Sequence, residues 1–241
     1  MTSRLAEQAG GLYKRLAYLS NEPAMDFADA RNRMVDSQVR PNKVTDPRII
    51  AAMRRLPRER FLPPGRAALA YADEDVPLGE GRVLIEPMVL ARMVQLTAVS
   101  AGERVLVVAC GTGYGAAVLA DCGARVTALE ESVPLLAIAR ETLADFAPSA
   151  NLVSGPLASG WQPGAPYDVI LIEGAVQSIP PAIGAQLHQE TGRLVAVCMD
   201  GRGTGQAVLA EATAAGLRTH PMFDCATPAI PSLLPAPSFV F

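Results

Sequence analysis

From residue 104 onward, short apolar runs alternate with stretches of helical spacing. The runs are Arg104–Ala109, Arg125–Leu129, Asn151–Val153, Asp168–Ile172 and Gly192–Val197, and between them lie Tyr114–Asp121, Pro134–Phe146 and Pro180–His188. Continuous apolar runs separated by helices are what a parallel sheet covered on both faces requires. The pattern predicts an α/β fold with a mostly parallel sheet. The tail, Leu217–Met222 and Pro237–Phe241, predicts a terminal antiparallel pair at the sheet edge.

Upstream, the periodicity is helical. Phe27, Ala30, Met34 and Val35 share one apolar face, which ends at Gln38–Pro41. Thr45-Asp46-Pro47 opens a second helix with Pro47 in its first turn, and Ile49, Ile50 and Met53 supply its apolar face. Pro57 and Pro63-Pro64 stop it. The polar loop Asp73-Glu74-Asp75 follows, then a loop with Gly79 and Gly81 leads into Val83-Leu84-Ile85. Pro87 opens a further helix carrying Leu90, Met93, Val94 and Leu96. Residues 1–24 read as an extension with loosely helical leucines, broken at Asn21-Glu22-Pro23.

Half of the 241 residues are hydrophobic, enough to bury a core in one α/β domain. The net charge of −3, from 21 basic and 24 acidic residues, gives no electrostatic footprint for nucleic acid. No run of about 18 apolar residues marks a membrane span. The first twenty residues carry Arg4, Lys14 and Arg15 without an apolar stretch, so no secretory signal is expected and a cytoplasmic location is. Cys110, Cys122, Cys198 and Cys225 form no C-x-x-C pair, and the only histidines are His188 and His220. The expectation is four reduced thiols, surface histidines and no metal site.

The chemistry concentrates in Val105-Leu-Val-Val-Ala-Cys-Gly-Thr-Gly-Tyr-Gly115, an apolar strand ending in glycines with a helix behind it. Glycines there allow a tight turn and a close ligand approach, and the helix start offers unpaired N–H groups. The next strand ends in Glu130, 19 residues past Gly111, where a carboxylate can accept from both hydroxyls of a ribose. Ala109, Cys110, Gly111, Gly113 and Glu130 are therefore candidate ligands of an adenosine-type cofactor. Gly111-Thr-Gly-Tyr-Gly-Ala116 also satisfies the loose dinucleotide pattern, so this segment alone leaves a nicotinamide cofactor open. Glu173 follows the run ending at Ile172 and is a candidate site residue, because open α/β sheets bind ligands at carboxyl ends of strands. No histidine neighbours Cys110 to activate it as a nucleophile. Trp161 is expected to pack beneath the loop before Asp168.

Several blocks together resemble the protein-L-isoaspartate O-methyltransferase family. They are Met34–Arg40, Asp46–Ile50 running into Met53–Arg58 and Phe61–Pro63, Ala70-Tyr71, Asp75, Pro77–Gly81 with Pro87 beyond, the glycine turn, Ala165–Ile170 and Gly192–Val195. Their order and spacing match from about residue 26 to 200, and the N-terminal helical blocks are the specific part. The resemblance implies a Rossmann-like S-adenosylmethionine-dependent methyltransferase fold with an N-terminal helical cap. It implies one domain over 25–241, with cap and substrate loop in 25–100 and the cofactor-binding core in 101–241. The implied activity is methyl transfer from S-adenosylmethionine to the α-carboxylate of L-isoaspartyl residues in damaged protein, yielding S-adenosylhomocysteine. The implied partner is a protein or peptide.

The resemblance also exposes departures. Family members carry Thr-x-Ser-x-Pro where this chain has Val83-Leu-Ile-Glu-Pro87, so Ile85 stands at the position of a serine whose hydroxyl lies by the reacting carboxylate. Glu86 beside it adds a charge that would repel a carboxylate and is a candidate acceptor contact. Ala109 replaces the first glycine of the turn, and Val107 replaces an acid. Ser154-Gly-Pro-Leu157 replaces a Gly-Asp-Gly block whose aspartate contacts adenine, which makes Pro156 and Leu157 the corresponding cofactor positions. Glu131 matches a position near the adenosine. Rival readings are the same fold with another methyl acceptor, a non-catalytic binding protein, and a nicotinamide-dependent oxidoreductase.

Overall fold

The computed structural model describes residues 25–199 and 205–235. The extension 1–24 and the tail 237–241 lie outside the described residues. Helix α1 (Phe27–Met34) starts at Asp26, whose side chain accepts from the N–H groups of Ala28 and Asp29. It continues through a π-helical turn, Val35–Val39. Helix α2 (Pro47–Arg55) is capped by Asp46 with Pro47 in its first turn, as the sequence indicates. A small antiparallel hairpin follows, β1 (Val76–Gly79) and β2 (Arg82–Leu84). Helix α3 (Pro87–Leu96) leads into the core.

The core alternates β3 (Arg104–Val108), α4 (Tyr114–Asp121), β4 (Arg125–Glu130), α5 (Val133–Phe146), β5 (Asn151–Ser154), β6 (Val169–Val176), α6 (Pro181–Gly184) and β7 (Arg193–Met199). Strands β8 (Gly205–Thr213) and β9 (Gly216–Asp224) complete a seven-stranded sheet of order β5-β4-β3-β6-β7-β8-β9. The first five strands in that order are parallel, and β8 and β9 are antiparallel additions. The chain steps outward from β3 through β4 to β5, then returns to place β6 on the other side of β3. The β3/β6 boundary is thus the topological switch point, where such sheets open a crevice at their carboxyl edge.

Strand alternation sorts the core into two faces. Val105, Val107, Val169, Leu171, Val195 and Val197 pack with the N-terminal helices and α4. Leu106, Val108, Ile170, Ile172, Leu194 and Ala196 pack against Leu157, Tyr167, Ile183, Leu187 and Ile230. That second layer is thinner than the periodicity predicts. Pro180–His188 makes only the single turn of α6. Its neighbourhood is tied instead by Gln186, whose amide nitrogen donates to the Ser159 and Ala182 carbonyls and whose oxygen accepts from Trp161 N–H. Trp161 packs at this layer, as expected.

The expected pairing of Leu217–Met222 with Pro237–Phe241 lies outside the described residues. Among the described residues Leu217–Met222 lies in an antiparallel strand at the sheet edge whose partner is β8, a segment that the hydrophobic pattern does not mark. Gly205–Thr213 is rich in alanine, and its strand conformation is imposed by seven register pairs with β7, from Arg193↔Glu211 to Met199↔Gly205. Small residues carry little strand preference of their own, so pairing decides.

Candidate active site

Strand β3 delivers the chain to the switch point, and three residues of the following turn have positive φ: Ala109 at 62°, Gly111 at 57° and Gly113 at 92°. Two are glycines, for which this is cheap. Ala109 is not, and holding it there costs roughly 1–2 kcal/mol. Gly111 cannot gain a side chain without crowding: a Cβ there would lie 3.1 Å from Leu78 Cδ1.

The turn is closed by its own hydrogen bonds. Cys110 N–H donates to the Leu129 carbonyl at 3.0 Å, and Gly113 N–H to the Cys110 carbonyl at 2.8 Å. Gly111 N–H donates to Glu130 Oε2 at 2.8 Å. The Cys110 thiol is buried, and burial pushes its pKa well above the usual thiol range, with the carboxylates of Glu130 and Glu173 adding to the rise. It is no nucleophile. The Thr112 hydroxyl is buried in the turn without a partner among the described residues.

Glu130, at the end of β4, is fully buried. Its carboxylate accepts from Gly111 N–H, from Glu131 N–H at 2.9 Å and from Ser132 N–H at 3.1 Å. The fourth donor is Arg82 on β2, whose Nη1 lies 3.3 Å from Oε1 and 3.2 Å from Oε2. Arg82 Nη2 donates to the Ala109 carbonyl at 2.5 Å and reaches the Glu173 carbonyl at 3.5 Å. One guanidinium from the hairpin therefore joins the ends of β3, β4 and β6. Sequence reasoning passes over Arg82. The available signal is an arginine heading the apolar run Val83-Leu84-Ile85, where a buried guanidinium needs anionic or carbonyl partners.

Glu131 sits beside this pair, and its Oε2 accepts from Leu157 N–H at 3.3 Å. That contact brings Glu131, Pro156 and Leu157 together at the ends of β4 and β5. Glu173 lies in an irregularity of β6, where the β7 register shifts between Leu171 and Ala175. Such bulges re-aim side chains. The carboxyl packs over Gly115, and Oε1 would sit 2.1 Å from a Cβ there. Glu173 is 7% exposed, its Oε1 has no partner among the described residues, and burial raises its pKa to about 8. It is thus largely a neutral acid at pH 7.

The segment Val83–Pro87 is held by side chains from outside it. Arg58, fully buried, donates through Nε to the Ala70 carbonyl and through Nη2 to the Ile85 carbonyl, each at 2.7 Å. Asp75 Oδ1 accepts from Glu86 N–H at 2.7 Å. Ile85 is buried and contributes only its backbone carbonyl to this network. Glu86 is partly buried; its carboxyl is pushed up first by burial and then by the negative charges of Asp75 and Asp73. The loop mouth is acidic. Away from this edge, His220 makes an exposed 3.4 Å contact with Glu211, and His188 Nδ1 meets the Thr191 hydroxyl. Among the described residues, no His/Cys/Asp/Glu group could hold a metal ion, and no helix is long and apolar enough to cross a membrane.

A parallel-centred sheet with a glycine turn at its switch point and an acid ending the next strand is the Rossmann-like methyltransferase fold. A protein-L-isoaspartate O-methyltransferase structure superposes with a TM-score of 0.73 at 22% identity, covering 83% of this chain and 65% of that one. The Plasmodium falciparum protein-L-isoaspartate O-methyltransferase in complex with S-adenosyl-L-homocysteine gives 0.69 at 15% identity, covering 83% and 97%. The sequence model for Protein-L-isoaspartate(D-aspartate) O-methyltransferase matches residues 29–216, and this chain belongs to that family. Among relatives, the protein-L-isoaspartate O-methyltransferase of Methylorubrum extorquens (strain PA1) is 41% identical over 181 residues, 75% of this chain and 79% of the relative. Protein-L-isoaspartate O-methyltransferase 1 of Rhodopseudomonas palustris (strain HaA2) is 39% identical over 168 residues, 69% of each chain.

Proposed function

We propose that this protein is an S-adenosylmethionine-dependent O-methyltransferase that methylates the α-carboxylate of L-isoaspartyl residues in damaged proteins or peptides, in the cytoplasm. The observation that carries the reading is the whole-domain match: the specific N-terminal blocks, the glycine turn and the acid-ended strand occur together over residues 29–216.

The residues at the switch point suit the cofactor once the side chains against the turn move aside. Gly111 and Gly113 hold the positive φ of the turn with Leu78 and Leu143 against them, the Thr112 hydroxyl and Glu173 Oε1 are buried polar atoms without partners among the described residues, and Glu130 ends β4 with its carboxylate on the Gly111 N–H. The further proposed cofactor contacts are Ala109 and Cys110 in the same turn, and Glu131, Pro156 and Leu157, which meet at the ends of β4 and β5. When bound, the sulfonium supplies an activated methyl group, and a carboxylate with its pKa near 4 needs no base to accept it. The chain's own task is positioning, which can supply much of the barrier reduction. Arg58 fixes the loop at Ile85, and Asp75 fixes it at Glu86. Ile85 has no hydroxyl to take the serine's place, and a hydrogen bond to a charged group is worth about 1.5–3 kcal/mol. Such a loss corresponds to slowing by roughly 10- to 100-fold, or to a different acceptor.

The test is transfer of labelled methyl from S-adenosylmethionine to an isoaspartyl peptide, with the aspartyl peptide as control. Selective, base-labile labelling of the isoaspartyl peptide is expected. Absence of labelling with cofactor bound would instead assign another acceptor.

A further inference from the structure

We propose that Arg82 is an internal competitor for the cofactor: its guanidinium occupies the ribose-binding carboxylate, and binding requires the β1–β2 hairpin to lift out of the crevice. This rests on the cofactor reading above.

The first argument is the number of acceptor positions. An ionised carboxylate offers about four lone-pair sites. At Glu130 these face Gly111 N–H, Glu131 N–H, Ser132 N–H and Arg82. Three of these donors are backbone groups fixed by the turn and the start of α5. Arg82 is the one donor on a separate element, so a ribose diol can engage this carboxylate only in its place.

The second argument is position. Arg82 reaches the Ala109 carbonyl at the end of β3 and the Glu173 carbonyl on β6, so it bridges the switch-point crevice itself. Leu78, from the other strand of the same hairpin, lies over Gly111, the residue whose missing side chain would otherwise open space for a ligand. Arg82 and Leu78, one from each strand of the hairpin, thus both lie against the glycine turn.

The third argument is that the hairpin can move as a unit. It forms a two-stranded sheet of its own and makes no ladder with the seven-stranded sheet. Lifting it breaks no ladder of the main sheet, but it breaks the Arg82 bonds and uncovers Val76, Leu78 and Leu84 from the core. Glu130 keeps three N–H donors when Arg82 leaves, so the carboxylate is never left unpaired, and hydroxyls of the incoming ligand refill the fourth position. The apparent dissociation constant is the intrinsic one divided by the fraction of open molecules. Arg82 therefore weakens binding without contacting the bound cofactor.

The experiment is calorimetric titration of the full chain with S-adenosylhomocysteine, comparing the wild type with Arg82→Gln and Arg82→Ala. Both variants are expected to bind at least tenfold more tightly. Equal or weaker affinity in variants that retain the wild-type circular dichroism overturns the proposal. If all three proteins bind equally, the gate fails and the cofactor reading stands. If none binds at millimolar ligand, both fail. A second measurement needs no variant: in stopped-flow mixing of the wild type, the observed rate should level off at high ligand because hairpin opening becomes limiting. A rate that rises linearly throughout overturns the gate.

Discussion

Arg82 Nη1 lies 3.2 Å from Glu130 Oε2 in a buried pair whose two members are unequally supported. Among the described residues, Glu130 has three backbone N–H partners besides Arg82, whereas Arg82 has no other anionic partner and relies on two carbonyls. Removing one member of a buried pair costs about 3–5 kcal/mol when the other is left uncompensated. Glu130→Ala is expected to reach that range, and Arg82→Ala to cost less. Denaturant unfolding of both variants measures the difference, and equal losses would contradict it.

Glu173 gives the folded protein a pH dependence of definite sign. Its folded pKa is raised to about 8 by burial, against an ordinary value of 4.5. The folded state then holds a proton that the unfolded state releases, so this contribution is fully present below pH 4.5 and is lost as pH rises through about 8. Each pH unit of separation is worth about 1.4 kcal/mol at most. Glu173→Gln should flatten the stability profile between pH 5 and 8 and stabilise the protein at pH 8. A profile with unchanged slope would show that Glu173 is ionised in the fold.

Arg58 ties two backbone carbonyls from separate segments, Ala70 and Ile85, with one planar fork. A lysine cannot reproduce both bonds at once. Arg58→Lys is expected to destabilise the protein by about 2–4 kcal/mol, since each orphaned buried group costs about 1–3 kcal/mol. Thermal unfolding checks it; a change below about 1 kcal/mol would mean that lysine or water satisfies both carbonyls.

In the proposed reading, Glu86 stands at the loop mouth on the path of an anionic acceptor. Glu86→Gln should lower KM for an isoaspartyl peptide with little change in kcat, and the effect should shrink as salt screens it. For the wild type, KM should fall as pH drops through the raised pKa of Glu86, where the carboxyl becomes neutral. An unchanged KM would place the Glu86 side chain away from the acceptor path.

Ile85→Ser restores a hydroxyl at the position where the family carries serine, but it removes a buried side chain. We expect a stability loss of about 2–4 kcal/mol together with a several-fold higher kcat/KM on the isoaspartyl peptide. Methyl-transfer kinetics and denaturant unfolding on one preparation separate the two effects; a loss in both would mean that Ile85 holds the loop in its working shape.

The sequence by itself determined the sheet, the glycine turn and the acid at the end of β4. These depend on short-range patterns: apolar runs buried on both faces, glycines at positive φ, and a fixed count from turn to strand end. It likewise determined the capped N-terminal helices, because Asp26 and Asp46 act on their own next turns. The tertiary structure alone decided the strand β8, whose alanines take their conformation from β7, and the shortness of α6, where side-chain bonds from Gln186 stand in for a longer helix. It also decided the state of the site. Arg82 and Glu130 are 48 residues apart in the chain, and no local pattern records that a guanidinium on one hairpin has entered a crevice built by three strands. Partner choice for a buried charge is a long-range matter, settled by which carboxylate and carbonyls the fold brings within reach once water is gone.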